Sequence, residues 1–218
     1  MPRTVTLGLI AALILATLTF SGRTAVRAQT PTGVQLPTVP DPVAVTLDSA
    51  ITAFLALDFM TSNCAEASRP TCVASLPAVN SAIAAARAAN VPILFTYTTG
   101  GTLRSEVVPD PADVNMLTSG ADKFFNTTLD DTLKQLGAST LVLVGTGSNG
   151  AILYTAFGAA VRGYTVVVAE DGISASTDFA TYASEWQLLN EPGAANAQNA
   201  PLQPKAATLS RTDLITYK

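Results

Sequence analysis

The 218-residue chain contains no histidine. This excludes any Ser-His or Cys-His nucleophile pair and any His-ligated metal, so acid–base work falls to carboxylates, lysine, tyrosine or the backbone. Charged residues are scarce at 13%, with 12 Lys+Arg against 16 Asp+Glu. An acidic balance of this kind argues against nucleic acid as a partner. Hydrophobic residues make up 48%. That excludes disorder over most of the chain and provides for a sizeable core. There is one tryptophan, Trp186, which reads as core or subunit interface.

Long apolar runs are also few. The longest early one, Leu7–Phe20, has 14 residues, which is short for a bilayer span and fits the apolar core of an export signal. Val26-Arg27-Ala28 places small residues at the two positions that a signal peptidase reads, so cleavage is expected after Ala28. Residues 1–28 therefore read as a signal peptide, and the protein as secreted or extracytoplasmic, in the periplasm or cell envelope. An uncleaved anchor is the alternative. The segment holds Arg3, Arg23 and Arg27 and no acid, leaving nine basic against sixteen acidic side chains beyond it.

Only two cysteines are present, Cys64 and Cys72. In an oxidising compartment so close a pair is most simply a disulfide. A metal clip would need two further ligands, and no metal is expected.

Residues 29–46 are rich in Pro and Thr and read as an extended linker or a strap, ahead of a domain over 47–218. Thr52–Leu57 (TAFLAL) predicts a strand buried on both faces, ending at Asp58. Helices are expected over Ser75–Ala89, Leu129–Leu136, Asn149–Arg162 and Thr177–Asn190, and strands over Val91–Thr98, Thr140–Val144 and Tyr164–Ala169. Leu209–Tyr217 reads as a last strand. Gly100–Leu117 reads as loop. The alternation predicts an α/β fold, a three-layer α/β/α sandwich with a central, mostly parallel sheet of five or six strands. Ligands in such sheets bind beyond the carboxyl ends of the strands, which points to Asp58, residues 98–102, residues 145–151 and Glu170-Asp171. Asp171 reads as a cap for the helix that follows it.

Gly145-Thr146-Gly147-Ser148-Asn149-Gly150 follows a strand and opens a helix, and Glu170 lies 20 residues beyond Gly150. This matches the dinucleotide fingerprint. The fingerprint normally sits on the first strand of its fold, however, and here at least two βα units precede it. A second account is a turn whose glycines serve close helix–strand packing.

Three segments together resemble the isochorismatase-like cysteine hydrolases. Leu55–Asn63 (LALDFMTSN) is similar to the family's first strand, which ends in its catalytic Asp. Asp122–Leu133 (DKFFNTTLDDTL) is similar to its Ser-Ala-Phe-x-Gly-Thr-Asp-Leu segment. Leu141–Ala156 (LVLVGTGSNGAILYTA) is similar to its strand–turn–helix Gly-Val-Ala-Thr-Asn-x-Cys-Val. The resemblance spans about residues 47–190.

It implies the α/β/α sandwich and hydrolysis of a small amide or enol ether by an Asp–Lys–Cys triad, with backbone N–H groups at the helix start as the oxyanion hole. Carried over by position, the Asp is Asp58 and the family's non-proline cis peptide falls at Thr146-Gly147. The Cys position is Ala151, and the Lys position is Thr118. Lys123 is the nearest lysine and the candidate partner of Asp58. Thr146, Gly147, Ser148, Asn149, Gly150 and Ala151 are the candidate substrate-binding residues. No cofactor is implied, and the partner is a small molecule, with the membrane met only through the export signal. A homo-oligomer is left open. Three functions follow: a hydrolase with a degenerate triad, a noncatalytic small-molecule-binding protein, or, on the glycine loop alone, a nucleotide-binding oxidoreductase.

Overall fold

A strand built on an unbroken apolar run must be covered on both faces, and the sequence has three, on the runs 53–57, 141–144 and 166–169. In the computed structural model, which describes residues 35–218, these are β2 (Thr52–Leu57), β5 (Thr140–Thr146) and β6 (Thr165–Ser174). They form the middle of a six-stranded sheet. The shorter β3 (Ile93–Tyr97), β4 (Val114–Leu117) and β7 (Ala207–Ser210) complete it in the order β4-β3-β2-β5-β6-β7, with every neighbouring pair parallel.

Side chains alternate across the sheet with a period of two. Leu55, Leu57, Leu141, Leu143, Val166 and Val168 share one core with α2 (Leu129–Gln135), α3 (Leu153–Val161) and α4 (Asp178–Asn190). Phe54, Ala56, Val142, Val144 and Val167 share the other with α1 (Pro70–Ala88). The fold is thus the expected three-layer α/β/α sandwich, with six strands.

The chain runs outward from β2 through β3 to β4, then returns to β5 and runs outward the other way. The order reverses between β2 and β5, and sheets of this kind bind ligands in the crevice at the carboxyl ends of the strands at such a switch point. Asp58 follows β2 and Gly147 follows β5, so the topology alone brings these two segments together.

Several expectations shift. Helix α1 starts at Pro70, five residues before Ser75, because Pro at the first helical position is preorganised for a helix. Residues 114–117, expected as loop, pair with β3 as an edge strand. The helix expected from Asn149 opens as a turn of π-helix, Ser148–Ile152, before α3. The expected last strand is two: β7 joins the main sheet, while β8 (Ile215–Tyr217) pairs with β1 (Val45–Leu47) outside it.

Strand β6 does not stop at Ala169. Leu143 is paired with Val168 and Gly145 with Ile173, so Ala169–Gly172 bulge opposite Val144. Glu170 and Asp171 therefore sit inside the strand, not beyond its end. Asp171 accepts from the N–H and hydroxyl of Thr212 at 2.8 and 2.6 Å. It does not cap α4; Thr177 does, accepting from the Ala180 N–H at 3.2 Å.

The signal segment 1–28 lies outside the described residues. Of the Pro/Thr-rich stretch, Asp41 and Val43 are bonded to the segment 199–210. Val43 N–H donates to the Leu209 carbonyl at 3.0 Å, Ser210 donates back to the Val43 carbonyl at 2.7 Å, and Asn199 donates to the Asp41 carbonyl at 2.9 Å. Among the described residues no helix is long and apolar enough to cross a membrane.

Candidate active site

Asp58 leaves β2 with a φ of 55°, and its N–H donates to the Thr96 carbonyl at 3.1 Å. The turn points its carboxylate into the protein, where the Thr96 hydroxyl donates to Oδ1 at 2.8 Å. Lys123 Nζ donates to Oδ2 at 2.6 Å. Both side chains are buried, Asp58 with 8% of its side chain exposed and Lys123 with 1%. A buried charge is tolerated only when paired and hydrogen-bonded, and here that condition is met fully on the lysine side. Its other two protons go to the Thr118 hydroxyl and the Gly120 carbonyl, each at 3.0 Å. Lys123 has no donor left over.

The segment carrying Lys123 is fixed from its backbone outward. Its N–H donates to Thr155 Oγ1 on α3 at 3.1 Å, and Asp122 accepts from the Phe124 N–H at 2.9 Å. Asp122 lies so close to α3 that a Cβ on Gly158 would stand 2.8 Å from its Oδ1. Lys123 thus reaches Asp58 from 65 residues away.

Across the crevice, Thr146-Gly147 is a cis peptide bond. Gly145 precedes it with a φ of 147°, packed so that a Cβ would stand 2.3 Å from the Leu57 carbonyl oxygen. This is the close approach that its glycine serves. Ser148 is buried, and its hydroxyl lies 3.4 Å from Thr181 Oγ1 on α4. Asn149 is exposed and Gly150 half-buried. Ala151 is buried in the same core as Leu57 and offers only a methyl group. Cys64 and Cys72 are bonded, with a Cα–Cα distance of 5.3 Å, and the described residues hold no free cysteine.

One residue at this crevice was not singled out from the sequence. Arg69 stands at the N-cap position of α1, without a side-chain capping bond, inside the loop that the disulfide closes. Its Nη1 donates to Thr146 Oγ1 at 2.9 Å and to the Asn63 carbonyl at 3.1 Å. Its Nη2 and Cζ would stand 3.6 and 3.7 Å from a Cβ on Gly147. The sequence signals were a position just before a helix-starting proline and a short disulfide loop directly after the first central strand.

The fold, the cis bond and the buried Asp–Lys pair at the switch point converge with the comparisons. An isochorismatase domain model matches residues 52–197. The chain belongs to the isochorismatase family. Solved structures of this hydrolase family share the fold. A cysteine hydrolase from Pseudomonas syringae pv. phaseolicola 1448A superposes with a TM-score of 0.67 at 16% identity, covering 83% of this chain and 95% of that one. N-carbamoylsarcosine amidase from Thermoplasma acidophilum gives 0.62 at 19% identity, over 75% and 97%. The nicotinamidase from Staphylococcus aureus gives 0.62 at 20% identity, over 69% and 99%. No curated protein matches the sequence.

Isochorismatase-family proteins act on small molecules, and this member's glycine loop has a packing account within that fold. Glu170, the acid of the dinucleotide reading, faces Arg211 at 3.5 Å from within the β6 bulge. With Asp171, Asp178 and Glu185 it lines an acidic groove of about 550 Å³ beside α1 and α4. Burial, and then the charge of Glu170, push the Glu185 carboxyl up to about 7.

Proposed function

We propose that this is an exported isochorismatase-family hydrolase acting on a small amide or enol-ether substrate, in which a water replaces the thiol as nucleophile. The observation that carries the reading is the buried Asp58–Lys123 pair, held by Thr96 and Thr118 at the carboxyl end of β2. An ion pair taken out of water is weak evidence for stability. Its placement beside the Gly147 turn suits a positioned base.

For an amide, the step runs as follows. Water oxygen bonds to the carbonyl carbon while one of its protons passes to Asp58. The carbonyl π electrons move to oxygen. The N–H groups of Ser148 and Asn149, the first two of the turn after Gly147, donate to that oxyanion. Collapse breaks the C–N bond, and Asp58 returns the proton to the departing nitrogen. Lys123 balances the carboxylate charge throughout.

Ala151 favours a second reading, a noncatalytic binding protein on the same scaffold, because alanine has no nucleophilic atom. The test assays the mature protein, Asp58→Asn and Ala151→Cys against small amides, imides, esters and enol ethers. Turnover lost in Asp58→Asn is the expected result. Ligand-dependent stabilisation without turnover selects the second reading, and activity gained only in Ala151→Cys identifies a scaffold that has lost its nucleophile.

Export is supported by the apolar segment 7–20 and by the bonded cysteine pair. The expected mature N-terminus is Gln29, read by intact mass of the protein recovered outside the cytoplasm.

A further inference from the structure

An arginine placed beside the turn of a hydrolase site requires an account, because guanidinium groups in such places usually meet a carboxylate. Arg104, on the other side of the disulfide loop, does so, bonding both oxygens of Glu106 at 2.5 and 3.2 Å. Arg87 and Arg211 also pair with acids. Arg69 is different. Among the described residues no carboxylate comes within ion-pair distance of it. Its two bonds both come from Nη1 and both go to neutral oxygens, Thr146 Oγ1 and the Asn63 carbonyl. Those bonds fix the direction of the group and leave its charge unmatched.

A second observation lies next to it. Thr146 on β5 is in register with Ser174 on β6, so their side chains leave the sheet on the same face. Ser174 is 1% exposed, and its hydroxyl has no hydrogen-bond partner. Buried hydroxyls are almost always satisfied. Two neighbouring strand ends therefore present, on one face of the sheet, an unpartnered hydroxyl and a hydroxyl bonded to a guanidinium whose bonds all come from Nη1. These are the donors that a planar anion accepts from in fork geometry.

We propose that Arg69, with Ser174, is the specificity-determining receptor for a carboxylate on the substrate. The assignment rests on the hydrolase reading for its substrate class, and it narrows that class to small amides that also carry an acid group. The disulfide is part of the device. Cys64 and Cys72, both fully buried, hold the loop on either side of Arg69, and Pro70 fixes the backbone immediately after it.

The test compares monoamides with their neutral diamides: oxamate with oxamide, malonamate with malonamide, and succinamate with succinamide. Affinities are measured by calorimetry on the mature protein, Arg69→Gln, Arg69→Lys and Ser174→Ala. The expected result is a preference of at least about tenfold for one or more of the anionic members, the scale of a charge-assisted pair. Arg69→Gln abolishes the preference, Arg69→Lys keeps part of it, and Ser174→Ala weakens it. Acetate competes with the favoured monoamide on the unaltered protein, which reads the same site even if Arg69→Gln does not fold.

Equal affinity within every pair, no binding of any of the six compounds, or a preference that survives Arg69→Gln overturns the proposal. The two readings fail separately. Anion preference without turnover removes the hydrolase and keeps the receptor. Turnover indifferent to charge and to Arg69 does the reverse.

Discussion

The Lys123 ammonium donates to the Thr118 hydroxyl at 3.0 Å, and Thr118 is the position at which alignment with the family's motifs puts its lysine. The cation comes from five residues further on, and it bonds Asp58 in the same stroke. A pair this deep is expected to be strongly coupled. Lys123→Met leaves a buried carboxylate with only the Thr96 hydroxyl bonded to it, and the expected loss is about 3–5 kcal/mol. Adding Asp58→Asn removes the stranded charge and recovers part of that loss. Urea denaturation of the two single variants and the double variant reads the coupling; additive losses would mean that the pair does not act as one unit.

Gly145→Ala is expected to cost at least about 2 kcal/mol, because the added methyl meets the Leu57 carbonyl between two central strands. Gly150→Ala, where a Cβ would find nothing within 4 Å, is expected to fall within about 0.5 kcal/mol of the parent. The contrast is measured by thermal melting of both variants under one condition.

The cysteine pair closes a short loop, and its loss through Cys64→Ser with Cys72→Ser is expected to lower stability by about 2–3 kcal/mol on the chain-entropy model. Because the loop carries Arg69, the same change is expected to weaken monoamide binding more than diamide binding. Calorimetry on the serine variant, below its melting temperature, separates the two effects.

Stability is expected to fall between about pH 5 and pH 8. Glu185 is raised to about 7, chiefly by burial, with Glu170 raised in the same sense. Over that range the folded state holds protons that the unfolded state has released, so raising the pH favours unfolding. With solvent still reaching both carboxyls, the Glu185 contribution is on the order of 1 kcal/mol. That corresponds to a melting shift of about 2–4 °C. Glu185→Gln flattens the profile; an unchanged slope would mean that Glu185 titrates normally.

How much of this was legible in the sequence follows from burial. β2 and β5 are central strands covered on both faces, and such strands read as unbroken apolar runs. β4 is a four-residue edge strand with one buried residue, and it carries no such run. β6 reads only to Ala169, because the bulge interrupts the apolar pattern with Glu170-Asp171 before Ile173 resumes it.

Asp58 was legible as a carboxylate ending a buried strand. Lys123 was legible only as the lysine nearest a motif position. Arg69 was not, since its partner Thr146 lies 77 residues away and the want of a carboxylate opposite it is a fact of three dimensions. Nor could the pattern show that Ser148 would turn toward Thr181 on α4.

The pairing of β1 with β8 has a consequence for the order in which the chain folds. Val45–Leu47 finds its partner some 170 residues later, and the strap before it waits for the same stretch, through Leu209 and Ser210. Until β7 arrives, β6 is an open edge, a row of unpaired N–H and carbonyl groups on an apolar strand and a template for aggregation. Contacts between such distant segments form slowly, because a long loop must close before they stabilise anything. Folding of this domain therefore closes from its two ends at once, and the last dozen residues guard the sheet against joining a neighbour's.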